Sequence, residues 1–121
     1  MKKLLFTACL LLPTTASAEH WDVIGFKIKD ECSFVQYMEI VEDFNEWGAD
    51  YGYNAKVGFP LQSEVLDVHY WVGTSENAAA FGAAWDAWRD GLADSRSTPW
   101  RLSERFEQCS MNVSRSSYDV Y

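Results

Sequence analysis

Between Glu64 and Leu92 the chain changes its hydrophobic period once, and that change dictates a layered fold. Val65-Leu66-Asp67-Val68-His69-Tyr70-Trp71-Val72 alternates with a period of two, the mark of a strand. Gly73-Thr74-Ser75 reads as a turn, with Thr74 or Ser75 as helix cap. Ala78, Phe81, Trp85, Trp88 and Leu92 then recur every three or four residues, which is one apolar face of a helix. A strand followed at once by such a helix has to lay helix on sheet.

The rest of the chain supplies the partners. Trp21 to Lys29 alternates, with Ile24, Phe26 and Ile28 on one face and Val23, Gly25 and Lys27 on the other. Ser33 with Gln36 fits a capping box, and Phe34, Tyr37, Met38, Val41 and Phe44 follow at helical spacing as far as Gly48. Its acidic side, Glu39, Glu42, Asp43 and Glu46, reads as a solvated surface. Ala55, Val57, Phe59 and Leu61 alternate again, and Pro60 marks that strand as an edge or an early end. Gln62-Ser63-Glu64 turns it into a hairpin with the strand from Val65. Thr98-Pro99 starts a third helix with Leu102, Phe106 and Cys109 inward, and Met111 to Tyr121 is strand-like.

The order is therefore β-α-β-β-α-(α)-β, an α+β, ferredoxin-like pattern. In that topology the last strand lies antiparallel beside the first. Cys32 follows the first strand and Cys109 precedes the last, so the fold brings them together as a disulfide.

The chain's beginning bears on where that bond forms. Lys2 and Lys3, the apolar run Leu4 to Leu12 and Ala16-Ser17-Ala18 have the order of a secretory signal. The run is shorter than the roughly 20 residues a spanning helix needs. Cys9 lies inside it, which argues against a lipid anchor. The expectation is cleavage after Ala18, leaving Glu19 to Tyr121 as a single domain in the periplasm or outside the cell, where disulfides persist. Of the ten Lys and Arg, eight remain after cleavage against eighteen Asp and Glu, a net charge of −10. A surface that acidic disfavours nucleic acid and anionic membranes as partners. Two lone thiols do not make a metal site, and no P-loop, HExxH, CxxC, serine elbow or dinucleotide fingerprint is present. No cofactor is expected. A free amine ahead of His20 at the new terminus has donors for Cu(II), set against the fraying of chain ends.

Helices cover one face of a four-stranded sheet, and the other face carries Val23, Trp71, Tyr118 and Val120 on this reading. An exposed apolar sheet marks an interface, and a homodimer with facing sheets is the expectation. The element order, the short helix before the last strand and the two-sided sheet resemble the dimeric α/β-barrel superfamily. That superfamily includes antibiotic-biosynthesis-monooxygenase-like and stress-response-barrel domains. The resemblance covers Trp21 to Tyr121 and is one of architecture. It implies cofactor-free oxygenases, haem-degrading enzymes and many domains with no assigned activity as kin.

Asp67 and His69, two apart on one face, would project between the sheets beside Trp71. A histidine oriented by a carboxylate in an aromatic pocket is a general base for a phenolic or quinone-like substrate. The same pair also fits a satisfied polar contact at a dimer interface. Two functions follow. One is an exported dimer that binds a small aromatic or hydrophobic ligand, or a protein partner, through a pocket of Trp71, Tyr118 and Lys27. The other is a cofactor-independent monooxygenase-like enzyme with His69 as base.

Overall fold

The structure, a computed structural model, describes residues 17–121. The expected signal lies outside these residues apart from Ser17 and Ala18. The elements in chain order are β1 (Glu19–Ile28), α1 (Phe34–Ala49), β2 (Asn54–Gly58), β3 (His69–Ser75), α2 (Ala78–Leu92), α3 (Thr98–Cys109) and β4 (Ser110–Val120). The strands form one antiparallel sheet in the order β2-β3-β1-β4, the ferredoxin-like arrangement. No helix among the described residues is long and apolar enough to cross a membrane.

Local chemistry sets the helix starts. Ser33 Oγ accepts from the Gln36 N–H and the Gln36 side chain accepts from the Ser33 N–H, closing the capping box of α1. Tyr37, Ile40, Val41 and Phe44 are its buried stripe. Gly48 lies within the helix rather than ending it, and it serves close approach, since a Cβ there would run into the Tyr53 carbonyl oxygen. Asn77, rather than Thr74 or Ser75, caps α2, and Ser97 caps α3 one residue ahead of the expected Thr98.

β1 pairs with β4 so that Ile28 faces Ser110, and the Cys32–Cys109 disulfide closes that end over a separation of 77 residues. On the chain-entropy account such a closure stabilises by about 4 kcal/mol. The β1/β4 register slips between Gly25 and Phe26, which leaves Val113 as an extra residue on β4.

The hairpin forms, with β2 antiparallel to β3, but its strand bounds and its turn are corrected. β2 stops at Gly58, just before Phe59 and Pro60, and Val65 to Val68 lie outside β3. A connection over 59–68 replaces the tight turn, with Leu61, Val65 and Leu66 exposed. β3 instead continues through Gly73-Thr74-Ser75, the expected turn. The reason is packing. A Cβ on Gly73 would occupy the position of the Tyr53 hydroxyl, so the glycine serves close approach across a strand rather than a bend.

The faces of β3 are corrected too. His69, Trp71, Gly73 and Ser75 are buried toward the helices, while Tyr70 and Val72 face outward, opposite Gly25 and Val23. Trp71 packs edge-on to Phe44 and Phe106, at 4.8 and 5.6 Å between ring centres. Alternation defines two faces but does not say which one the helices cover. The outward face carries Trp21, Val23, Tyr70, Val72 and Tyr118.

Candidate functional site

Asp22 shares its β1 face with Ile24 and Phe26, toward the helices, and is 2% exposed. A carboxylate so placed is tolerated only when paired and hydrogen-bonded. Arg115, on the neighbouring strand β4, donates from Nε to Oδ1 at 3.0 Å and from Nη2 to Oδ2 at 2.8 Å. Tyr53, in the turn ahead of β2, donates its hydroxyl to Oδ2 at 3.2 Å and accepts from the Trp71 indole N–H at 2.7 Å. Burial, reinforced by the charge of Asp22, pushes the Tyr53 hydroxyl well above the usual phenol range, so it remains a donor at neutral pH. The Arg115 guanidinium also lies 4.3 Å over the Trp85 ring, a cation–π contact.

These groups floor a partly open cavity of about 280 Å³ between the sheet and the three helices. Phe44 and Trp47 of α1, Phe81, Trp85 and Trp88 of α2, and Phe106 of α3 wall it. The bulge at Val113 shapes its rim. Asn112 and Arg115 are three apart and would point to opposite faces of a regular strand, yet both line the cavity because one residue is spliced out of the pairing between them. Arg115 Nη1 makes no hydrogen bond among the described residues, and the side chain is 42% exposed. The arrangement is an apolar slot with one half-exposed cation at its edge, suited to a flat ring carrying an acceptor oxygen.

Of the residues singled out by sequence, Trp71 lines this cavity, on the helix side of the sheet rather than between sheets. His69 does not. Its ring lies among Phe26, Phe34 and Phe59, at 5.5, 5.5 and 5.1 Å between centres, and both ring nitrogens lack a hydrogen-bond partner among the described residues. Burial pushes its pKa down, and the nearby charge of Asp67 only partly opposes this. Asp67 is exposed and pairs with Lys27 Nζ at 2.8 Å, so the expected Asp67–His69 hydrogen bond is not formed. That hydrogen bond to Lys27 holds the Asp67 carboxyl below its ordinary range. Tyr118 is half exposed on the outward face, opposite Trp21, and Lys27 is partly exposed beside Asp67. Neither lines the cavity.

Asp22, Tyr53 and Arg115 were missed. One signal for Asp22 was present, since it falls in step with Ile24, Phe26 and Ile28, where a carboxylate demands a partner. Arg115 had no comparable signal, because its direction depends on the bulge.

No protein-family model and no curated protein matches the chain. Among solved structures, a hydroxynitrile lyase from Passiflora edulis is similar over 88% of this chain and 96% of that one, with a TM-score of 0.53 and 19% identity. SnoaB, a cofactor-independent oxygenase from Streptomyces nogalater, is similar over 87% and 95%, with a TM-score of 0.53 and 11% identity. The likeness is one of fold alone, an α+β, ferredoxin-like fold.

Proposed function

We propose that this protein binds a small, flat aromatic molecule bearing an acceptor oxygen, in the cavity between its sheet and helices. The observation that carries the reading is the aromatic-walled cavity floored by a hydrogen-bonded Asp22–Arg115–Tyr53–Trp71 network, with Arg115 Nη1 making no hydrogen bond among the described residues. Asp22 and Arg115 neutralise one another, so a neutral carbonyl or phenol suits the site as well as an anion. Asp22 accepts three hydrogen bonds already, which favours an anchoring role over that of a proton-abstracting base. Titration of tryptophan fluorescence with 1-naphthol and 1,4-naphthoquinone tests this. Saturable one-to-one quenching that is lost in Trp85→Ala supports it, and linear quenching unchanged by that substitution overturns it.

A buried ionic network bordering the same cavity favours a second, catalytic reading. Here the chain would be a cofactor-independent oxygenase or lyase, the activities named for the two similar structures. In this reading Asp22 is the ionisable group that meets the ligand, and His69 takes no part. Oxygen uptake with a naphthalenediol, compared between the protein and Asp22→Asn, decides it.

The outward sheet face, with Tyr70 and Tyr118 half exposed beside Val23 and Val72, supports a homodimer with facing sheets. The disulfide and the N-terminal pattern support export with cleavage after Ala18. Native mass spectrometry of protein recovered from the periplasm reads both at once. A dimer of chains beginning at Glu19 is expected, and a monomer removes the facing-sheet arrangement.

A further inference from the structure

One row along the sheet from Asp22, three strands present three polar side chains to the helix-covered face. The register sets His20 of β1 opposite Asp119 of β4 on one side and Ser75 of β3 on the other. Asp119 Oδ1 lies 3.0 Å from His20 Nδ1, which assigns the proton to Nδ1 and leaves Nε2 as an acceptor. His20 Nε2 and Ser75 Oγ are both buried, and neither has a hydrogen-bond partner among the described residues. Two unsatisfied polar atoms on directly paired residues call for an explanation, because each is costly to bury alone.

The surroundings suit a nucleophile. Ser75 ends β3 and stands just ahead of α2, at a strand-to-helix junction. The Asn77 side chain caps the Ala80 N–H, and the Ala78 and Ala79 N–H groups have no acceptor within the helix. Phe81 borders both this row and the cavity: its ring is 4.6 Å from the His20 ring, and it is one of the cavity walls, whereas His20, Ser75 and Asp119 do not line the cavity.

We propose that Ser75, His20 and Asp119 form an esterase-type site reached from the cavity past Phe81, acting on aryl esters of small acids. The aryl ring occupies the cavity and the acyl group lies toward Ser75. Ser75 Oγ attacks the acyl carbon and its proton passes to His20 Nε2. The bond to the aryl oxygen breaks, and the departing aryl oxide takes that proton. Water, deprotonated by His20, then attacks the acyl-serine, releasing the acid and restoring Ser75. Ester and water give acid and phenol. Ser75 and His20 are the catalytic residues, and Asp119 positions the imidazole.

The test uses the purified protein, phenylmethylsulfonyl fluoride as covalent probe and 4-nitrophenyl acetate as substrate. One sulfonyl adduct mapping to Ser75 is expected, absent from Ser75→Ala and His20→Ala. Hydrolysis should exceed that of Ser75→Ala by about a hundredfold, the scale of general-base assistance. Asp119→Asn should lower the rate about tenfold, with Asp119→Glu restoring it, whereas a purely structural loss would show in the thermal midpoint instead. Phe81→Ala should label faster. The proposal is overturned if the wild type and Phe81→Ala, both folded by circular dichroism, take no adduct at Ser75 or hydrolyse at the Ser75→Ala rate. Saturable 1-naphthol binding is scored separately in the same samples, so an empty cavity and an inert Ser75 give different results.

Discussion

Asp22 and His69 lie on the same face of the same sheet, both nine-tenths buried or more, and they have opposite surroundings. Asp22 meets a guanidinium from β4 and a phenol that is itself held by an indole, so both carboxylate oxygens are occupied. His69 meets three aromatic rings and makes no hydrogen bond among the described residues. The first group is charged, satisfied and beside a cavity. The second is kept neutral by its apolar cage. A titratable residue in an aromatic environment is thus a poor guide to a site by itself. The polar partners converging on it, and the empty space beside it, are more telling.

The widest gap between the two should appear when each loses its setting. Arg115→Ala leaves Asp22 buried without its cation, and urea denaturation should show a loss of about 3 kcal/mol, at the lower end for a broken buried pair because Arg115 is half exposed. Gly73→Ala strikes the same network indirectly. The added methyl displaces the Tyr53 hydroxyl from Asp22 and Trp71, and two lost hydrogen bonds predict about 2 kcal/mol in the same assay.

His69 should respond to pH in a way that sharpens the contrast. Its folded pKa lies below the ordinary 6.5, so above that value it is neutral in both states and carries no penalty. As pH falls below about 6.5 the unfolded chain takes up a proton that the folded chain resists, and stability declines until the depressed folded pKa is passed. Urea midpoints at pH 7.5 and 5.5, compared with those of His69→Phe, isolate this group. The wild type should lose more than the variant on acidification. The smallest effect is His69→Phe itself at pH 7.5. Removing two unpartnered nitrogens from an apolar cage should be neutral or stabilising by up to about 1 kcal/mol, and a loss of several kcal/mol would show that His69 has a partner after all.

The element order, the capping box at Ser33 and Gln36, the inward set Ile24, Phe26 and Ile28, and the meeting of Cys32 with Cys109 are legible in the sequence. Each rests on neighbours in sequence or on a rule of topology. The site was legible only in fragments. Trp71 was expected in a pocket between facing sheets, and it lines a different cavity, on the helix side of the sheet. His69 was read through the same reversed face.

What the sequence alone determined is periodicity, the capping box of α1 and the cysteine pairing, because these follow from contacts a few residues long and from chain connectivity. The tertiary structure decided three further things. It decided which face of β3 the helices cover, that Gly73 serves packing rather than turning, and that a bulge at Val113 aims Asn112 and Arg115 into one cavity. All three depend on how separate strands register against one another and on where Tyr53 comes to rest. A period of two is indifferent to a reversal of face, and a single unpaired residue changes every direction beyond it.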